Sequence, residues 1–325
     1  MKQKKISTLG IIGIIAGGIA LVSGITAIIV GNYFYNFSIK RRTKHKKISQ
    51  VAKNADEEHP LSNKGDLRTE WIFEVPNKKI SIRSYDGLQL WARLFENPDE
   101  NGECKKFGIL CHGYRDRAIE MCFEAEKFYN KGYSILLPSA RGHDDSEGSY
   151  VGMGWPERKD IVGWIEKLNE MYDNPEIFLY GISMGGATVM YTVGEELPEN
   201  VKCAIEDCGY SSINGQFSHS LEEMLHLPAA PIMHCANVFT RTRAKLDVCK
   251  DGQTKYTLPK AKIPMLFIHG TDDRYVPFEM LEENYNAHPG PKEVFVIEGG
   301  THSSGPWEGG EEYWNRVFGF LDKYM

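Results

Sequence analysis

The sequence has no surplus of positive charge, no cysteine framework and, beyond residue 31, no long apolar run. A net charge of -6 at neutral pH leaves no basic footprint for nucleic acid as a general partner. The seven cysteines, Cys104, Cys111, Cys122, Cys203, Cys208, Cys235 and Cys249, are odd in number and scattered. Several lie in apolar stretches, as Cys111 does after Gly108-Ile109-Leu110, and read as buried free thiols instead of a disulfide scaffold. Cys203 and Cys208 are the closest pair, and no histidine or cysteine stands at zinc spacing beside them. No metal site is expected, and nothing implies a cofactor.

The one long apolar run lies at the start. Residues 8–31 are almost entirely Ile, Gly, Ala, Val and Leu, without charge, and are long enough to cross a hydrocarbon core as a helix. Tyr33, Phe34, Tyr35 and Phe37 follow, placed like an interfacial aromatic belt, and then Lys40, Arg41, Arg42, Lys44, Lys46 and Lys47. A cleaved secretory signal is the rival reading, since Lys2, Lys4 and Lys5 open the chain. The run is too long for one, and no A-x-A-like site precedes the basic cluster. The expected organisation is a basic tail (1–7), a single-pass membrane anchor (8–31), a basic juxtamembrane segment and linker (32–70), and a catalytic domain (71–325). Basic residues flank both ends of the run, with more on the C-terminal side. That tips the expected orientation toward a domain on the cytoplasmic face without deciding it.

Roughly 260 residues remain, enough for one large domain with a full core. Lys79 to Tyr85 and Leu88 to Phe95 alternate around Asp86-Gly87, a hairpin pattern. From Phe107 the pattern becomes strand, loop, helix, repeated. Strands are expected at Phe107–Cys111, Tyr133–Leu137, Glu176–Tyr180, Val201–Glu206, Pro264–Ile268 and Glu293–Ile297. Helices are expected at Ile119–Tyr129, Pro156–Met171 and Glu311–Lys323. Such alternation predicts a mostly parallel central sheet with helices on both faces, opened by antiparallel strands. Between residues 208 and 262 the alternation stops. The stretch reads as a helical insertion lying over the C-terminal ends of the strands, a lid on a ligand site.

The centre of the chain is Gly181-Ile182-Ser183-Met184-Gly185, between the apolar run Glu176–Tyr180 and the small-then-apolar run Gly186–Tyr191. A sharp strand-to-helix turn there would hold the serine in a strained conformation, its hydroxyl clear of the sheet. The chain passes close to itself in such a turn, so the positions two before and two after the serine must be small. Both are glycine.

A serine hydroxyl is a weak nucleophile at neutral pH and needs a base, which in turn needs an orienting acid. Of the ten histidines, only His302 lies in a loop after a strand and C-terminal to an acid placed likewise. His112 and His269 precede glycines at strand ends and read as loop ties. Three acids qualify: the adjacent Asp272 and Asp273 after one strand, and Asp207 at the end of an earlier one. At most one of the adjacent pair can face His302. Two amides could hold an oxyanion: that of Met184, at the start of the helix after the serine, and that of Tyr114, after His112-Gly113.

These blocks together resemble the α/β-hydrolase superfamily over residues 78–324, and within it membrane-anchored bacterial hydrolases akin to the Bem46-like and serine aminopeptidase S33-like domains. The resemblance implies Ser183 as nucleophile and His302 as base. Through the block His269-Gly270-Thr271-Asp272-Asp273-Arg274-Tyr275-Val276-Pro277, it implies Asp273 as the acid. One block departs: where the family commonly reads D-x-R-G-H-G, this chain has Ser139-Ala140-Arg141-Gly142-His143-Asp144. The expected activity is cleavage of carboxylic esters or thioesters on a small-molecule or lipid-like acyl substrate, without a cofactor. Two rivals stand beside it. A serine peptidase of S33 or S9 type would need an anionic group such as Glu222 or Glu223 to hold a substrate amine. A membrane-tethered scaffold would keep the fold without catalysis.

Overall fold

A computed structural model describes residues 25–42 and 70–325 of the chain. Its framework is one eight-stranded sheet in the order β1-β2-β4-β3-β5-β6-β7-β8. The strands are β1 (Lys78–Arg83), β2 (Gln89–Phe95), β3 (Lys106–Cys111), β4 (Ser134–Pro138), β5 (Glu176–Ile182), β6 (Val201–Asp207), β7 (Met265–Gly270) and β8 (Lys292–Ile297). The hairpin expected around Asp86-Gly87 pairs β1 with β2 antiparallel, β2 joins β4 antiparallel, and every remaining pairing is parallel.

Both faces of the sheet are covered, and side-chain alternation sorts the residues between them. In β5, Phe178 and Tyr180 join one core with α1 (Cys122–Asn130), while Ile177 and Leu179 join the other with α2 (Glu157–Tyr172) and α3 (Met184–Thr192). Phe128, Phe178 and Tyr180 stack edge-on or tilted at 4.9 and 5.3 Å. Truncating a buried ring such as Phe178 to alanine costs about 3–5 kcal/mol. The helix expected over Ile119–Tyr129 begins instead as a 3-10 turn, Ala118–Met121, before α1.

Between β6 and β7 the chain forms α4 (Ile213–His219), a π turn (Ser220–Met224) and α5 (Ala229–Ala244). These pack in a third apolar cluster with Met184, Tyr210, Val276 and Met280, above the C-terminal strand ends. The closing segments are α6 (Glu279–Ala287), after β7, and α7 (Gly310–Tyr324), after β8.

Most of the expected membrane anchor, residues 8–24, and most of the expected linker, residues 43–69, lie outside the described residues. Residues 25–34 are helical and end in a π turn, Tyr35–Ile39. Among the described residues no helix is long and apolar enough to cross a membrane. The aromatic group after the run is divided. Tyr33 and Phe37 are exposed, but Phe34, Tyr35 and Ile39 are buried in the third cluster, with the Phe34 ring edge-on to Phe217 at 5.0 Å. Thus this end of the segment read as a juxtamembrane linker is strapped to the domain. The Ile39 carbonyl accepts from the Val151 amide at 2.8 Å, and the Arg41 guanidinium donates to the Asp144 and Ser146 carbonyls at 2.7 and 2.8 Å.

Candidate active site

Ser183 sits between β5 and α3 at φ 56° and ψ -116°, a backbone conformation that L residues rarely adopt. Its surroundings enforce the strain, which costs about 1–3 kcal/mol. The Ser183 amide donates to the carbonyl of Asp207 at the end of β6, at 2.8 Å. A Cβ on Gly181 would collide with the Gly185 carbonyl, and one on Gly185 with the carbonyl of Cys111. The flanking glycines are therefore demanded by the close passage of the chain over itself.

The loops after β7 and β8 supply the partners. They are pressed together where a Cβ on Gly270 would meet the backbone of Gly300, and the Asp272 amide donates to the Gly300 carbonyl at 3.0 Å. This contact brings Asp273 and His302 side by side. The Ser183 hydroxyl lies 2.9 Å from His302 Nε2, and His302 Nδ1 lies 2.7 Å from Asp273 Oδ2. With Nδ1 donating to the carboxylate, Nε2 is left to accept from the serine. The other carboxylate oxygen, Oδ1, accepts the amides of Tyr275 and Val276, each at 2.8 Å. Asp272 is exposed, whereas Asp273 is buried.

The electrostatics follow. Burial opposes the Asp273 charge, but His302 and His269 beside it outweigh burial and hold the carboxyl below its usual range. Burial likewise opposes the His302 cation, while Cys208 and Asp273 favour it, and its pKa is raised. Since burial pushes the Cys208 thiol up to about 11, its sulfur is uncharged near neutrality and the carboxylate carries the effect.

The two amides proposed for an oxyanion lie on adjoining turns. Cys111 of β3 is in register with Gly181 of β5, and Gly185 rests on the Cys111 carbonyl, so the Tyr114 loop and the start of α3 abut. Among the described residues neither the Tyr114 nor the Met184 amide donates to a backbone acceptor. His112 ties the Tyr114 loop to its neighbour: Nε2 accepts from the Ala140 amide at 3.1 Å and Nδ1 donates to the Gly113 carbonyl at 2.8 Å. His269 Nε2 lies 3.1 Å from the Val276 carbonyl and 3.2 Å from Asp273. In the departing block, Ser139 donates to the Asp144 carboxylate at 3.2 Å. The acid moves to the other end of the loop, and Asp144 takes the left-handed φ of 40° that glycine would adopt freely.

Two neighbours take places that the sequence did not assign to them. Asp207, a candidate acid, does not bond His302; its side chain accepts the Tyr313 hydroxyl at 2.8 Å, and burial pushes its pKa up to about 6. Cys208 follows it at φ 48°, its sulfur grouped with the Asp273 carboxylate and the His302 ring, all within 4.8 Å of one another. Those three are metal-ligating types, but Asp273 and His302 already spend facing atoms on each other. Only the position of Cys208, next to a strand-end acid, pointed here. Glu222 and Glu223 are exposed on the π turn.

Several known proteins are similar to this chain. Residues 102–246 match the family described as "Serine aminopeptidase, S33". The uncharacterized protein YqkD of Bacillus subtilis is 25% identical over 305 residues, covering 93% of this chain and 95% of its own. A thermostable monoacylglycerol lipase of Bacillus sp. strain H-257 is 26% identical over 191 residues, 52% of this chain and 71% of that one. Among solved structures, an esterase of Pyrococcus furiosus superposes with a TM-score of 0.64 at 22% identity, over 79% of this chain and 94% of that one. The eight-stranded order, the strained serine turn and these likenesses agree: the chain has the α/β-hydrolase fold, and its residues 102–246 are similar to the S33 family of serine hydrolases.

Proposed function

We propose that this protein hydrolyses carboxylic esters or thioesters through an acyl-enzyme on Ser183. The observation that carries the reading is the unbroken relay from Ser183 through His302 to Asp273, with spacings of 2.9 and 2.7 Å. Ser183 Oγ attacks the acyl carbon while His302 Nε2 takes its proton, and Asp273 stabilises the imidazolium. The carbonyl oxygen becomes an oxyanion held by the Met184 and Tyr114 amides; losing one such donor typically costs about 3 kcal/mol of transition-state stabilisation. The C–O or C–S bond then breaks, and His302 returns the proton to the leaving oxygen or sulfur. Water, deprotonated by His302, attacks the acyl-serine, and collapse frees the acid and restores the serine.

Ester substrates are favoured by the apolar roof of α4 and α5, read here as a lid walling an acyl pocket, and by likeness to proteins named as an esterase and a lipase. Ser183 is only 5% exposed. Anchoring by residues 8–31 is part of the proposal. Its support is the uncharged apolar run, which continues into the described helix with Ile25, Ile28 and Ile29 facing solvent. A peptidase is the second reading, favoured by the description of the matching family. Hydrolysis of p-nitrophenyl esters of rising acyl length by the full chain, beside Ser183→Ala, separates the two. Turnover lost in the variant supports the esterase, and cleavage confined to peptide amides replaces it.

A further inference from the structure

The oxyanion reading depends in part on one peptide unit, that between Gly113 and Tyr114, whose N–H has to meet the reacting carbonyl. The unit lies against the serine turn. A Cβ on Gly185 would stand 3.0 Å from the His112 carbonyl, and one on Gly113 would stand 3.9 Å from the Ile182 carbonyl. Gly113 has no side chain to limit its rotation, so the direction of the N–H must be set by neighbours. At one end of the unit, the Gly113 carbonyl accepts from His112 Nδ1 at 2.8 Å. At the other end the hold is on the Tyr114 side chain, whose hydroxyl donates to the Ser38 carbonyl at 2.6 Å.

Ser38 belongs to the N-terminal segment strapped to the domain, and the strap is firmly seated there. Ser38 is buried and Ile39 is fully enclosed. Lys40 pairs antiparallel with Tyr150, and the Arg41 amide donates to the Ser149 carbonyl at 2.9 Å. Arg115, next after Tyr114, donates from Nη2 to the Phe37 carbonyl. The Ser38 carbonyl is therefore a fixed point, and it sits 76 residues away in the chain from the tyrosine it holds.

We propose that Tyr114 is a positioning residue for the oxyanion, and that strap residues 37–41 belong to the catalytic unit. The Tyr114 hydroxyl, bonded to Ser38, holds in place the peptide whose N–H receives the developing charge. This rests on the ester-hydrolase reading above. Attack by Ser183 and proton transfer to His302 do not use the hydroxyl. What it sets is the place of a donor, and a misplaced donor weakens the transition state more than the bound ester, because the oxygen is fully negative only after attack.

The probes are 1,1,1-trifluorooctan-2-one and 1,1,1-trifluorooctan-2-ol. The ketone accepts Ser183 Oγ at its carbonyl carbon, the serine proton passes to His302, and an oxyanion is left facing the donors. The alcohol has the same chain and forms no oxyanion. The measured quantity is the ratio of inhibition constants, alcohol over ketone, against hydrolysis of p-nitrophenyl hexanoate by the full chain and its Tyr114→Phe and Tyr191→Phe variants. Tyr191 is the matched control, since it is buried further along α3 and its hydroxyl donates to the Gly252 carbonyl at 2.7 Å. Tyr114→Phe is expected to lower the ratio and kcat/KM together by about 3- to 10-fold, the range of one net hydrogen bond. Tyr191→Phe is expected to leave the ratio in place. A ratio unchanged in Tyr114→Phe, or lowered equally in both variants, overturns the proposal and leaves the hydroxyl as a structural tie. If the folded parent neither turns over p-nitrophenyl hexanoate nor binds the ketone, the ester-hydrolase reading itself falls, and this proposal with it.

Discussion

The ends of β6 and β7 lie side by side, and each carries a buried aspartate beneath the same serine. At β7, Asp273 accepts two backbone amides and faces His302, and its histidine neighbours hold the carboxyl in its charged form. At β6, Asp207 is bonded by the Tyr313 hydroxyl, which is joined to the Tyr180 hydroxyl at 2.7 Å, and burial wins, pushing its pKa to about 6. Glu206 beside it is fully buried with one oxygen unpartnered, and burial raises it well above the carboxylate range. The difference lies in the donors, not in depth. Backbone amides and a histidine reward a carboxylate's charge, whereas a single tyrosine hydroxyl leaves the cost of burial uncompensated.

The sharpest way to break this contrast is to neutralise each acid in turn. Asp273→Asn is expected to lower kcat by about 10⁴-fold, by leaving His302 in the wrong tautomer. Asp207→Asn is expected to cost less than about 10-fold, because the Asp207 carboxylate bonds to Tyr313 and not to a side chain of the relay. Comparable losses in ester turnover would mean that β6 supplies a working acid after all.

A pH profile sharpens it next. The base acts as neutral imidazole, and its pKa is raised, so the acid limb of kcat/KM is expected above pH 6.5. Asp273→Asn should move that limb to lower pH by removing the charge that favours the cation, while Asp207→Asn should leave it nearly in place.

The smallest effect is on stability, and it has opposite signs. Asp207 is raised in the fold, so the folded state binds its proton more tightly and stability drains as pH climbs from about 4 through 6, by about 3 kcal/mol. Asp273 is depressed, so its contribution is present above pH 4 and lost on acidification. Thermal melts at pH 7 should therefore show Asp207→Asn raised and Asp273→Asn lowered relative to the parent. Shifts of the same sign would contradict the assigned directions.

How much of this was legible in the sequence depends on where the physical constraint is written. Gly181 and Gly185 state a backbone collision locally, so the serine turn could be read from five residues. Strand ends followed by Asp273 and His302 were legible for the same reason: each loop must carry its side chain within a few residues of a strand. Without the resemblance carried by residues 269–277, choosing among Asp207, Asp272 and Asp273 was not a local matter. It turned on Tyr313, which lies 106 residues beyond Asp207, and on the press of Gly270 against Gly300. The N-terminal strap was the least legible part. Phe34, Tyr35 and Ile39 have the composition of a membrane edge, and only the partners Phe217 and Val151, far along the chain, reveal that they pack on protein.

The central claim is that Ser183 is the nucleophile, activated through His302 and Asp273. Its most direct test is peptide mapping by mass spectrometry after the full chain is treated with a fluorophosphonate. A single adduct is expected on Ser183, absent from Ser183→Ala and formed far more slowly in His302→Ala. No adduct on Ser183 in the folded protein, or an adduct of equal rate in His302→Ala, would contradict the account.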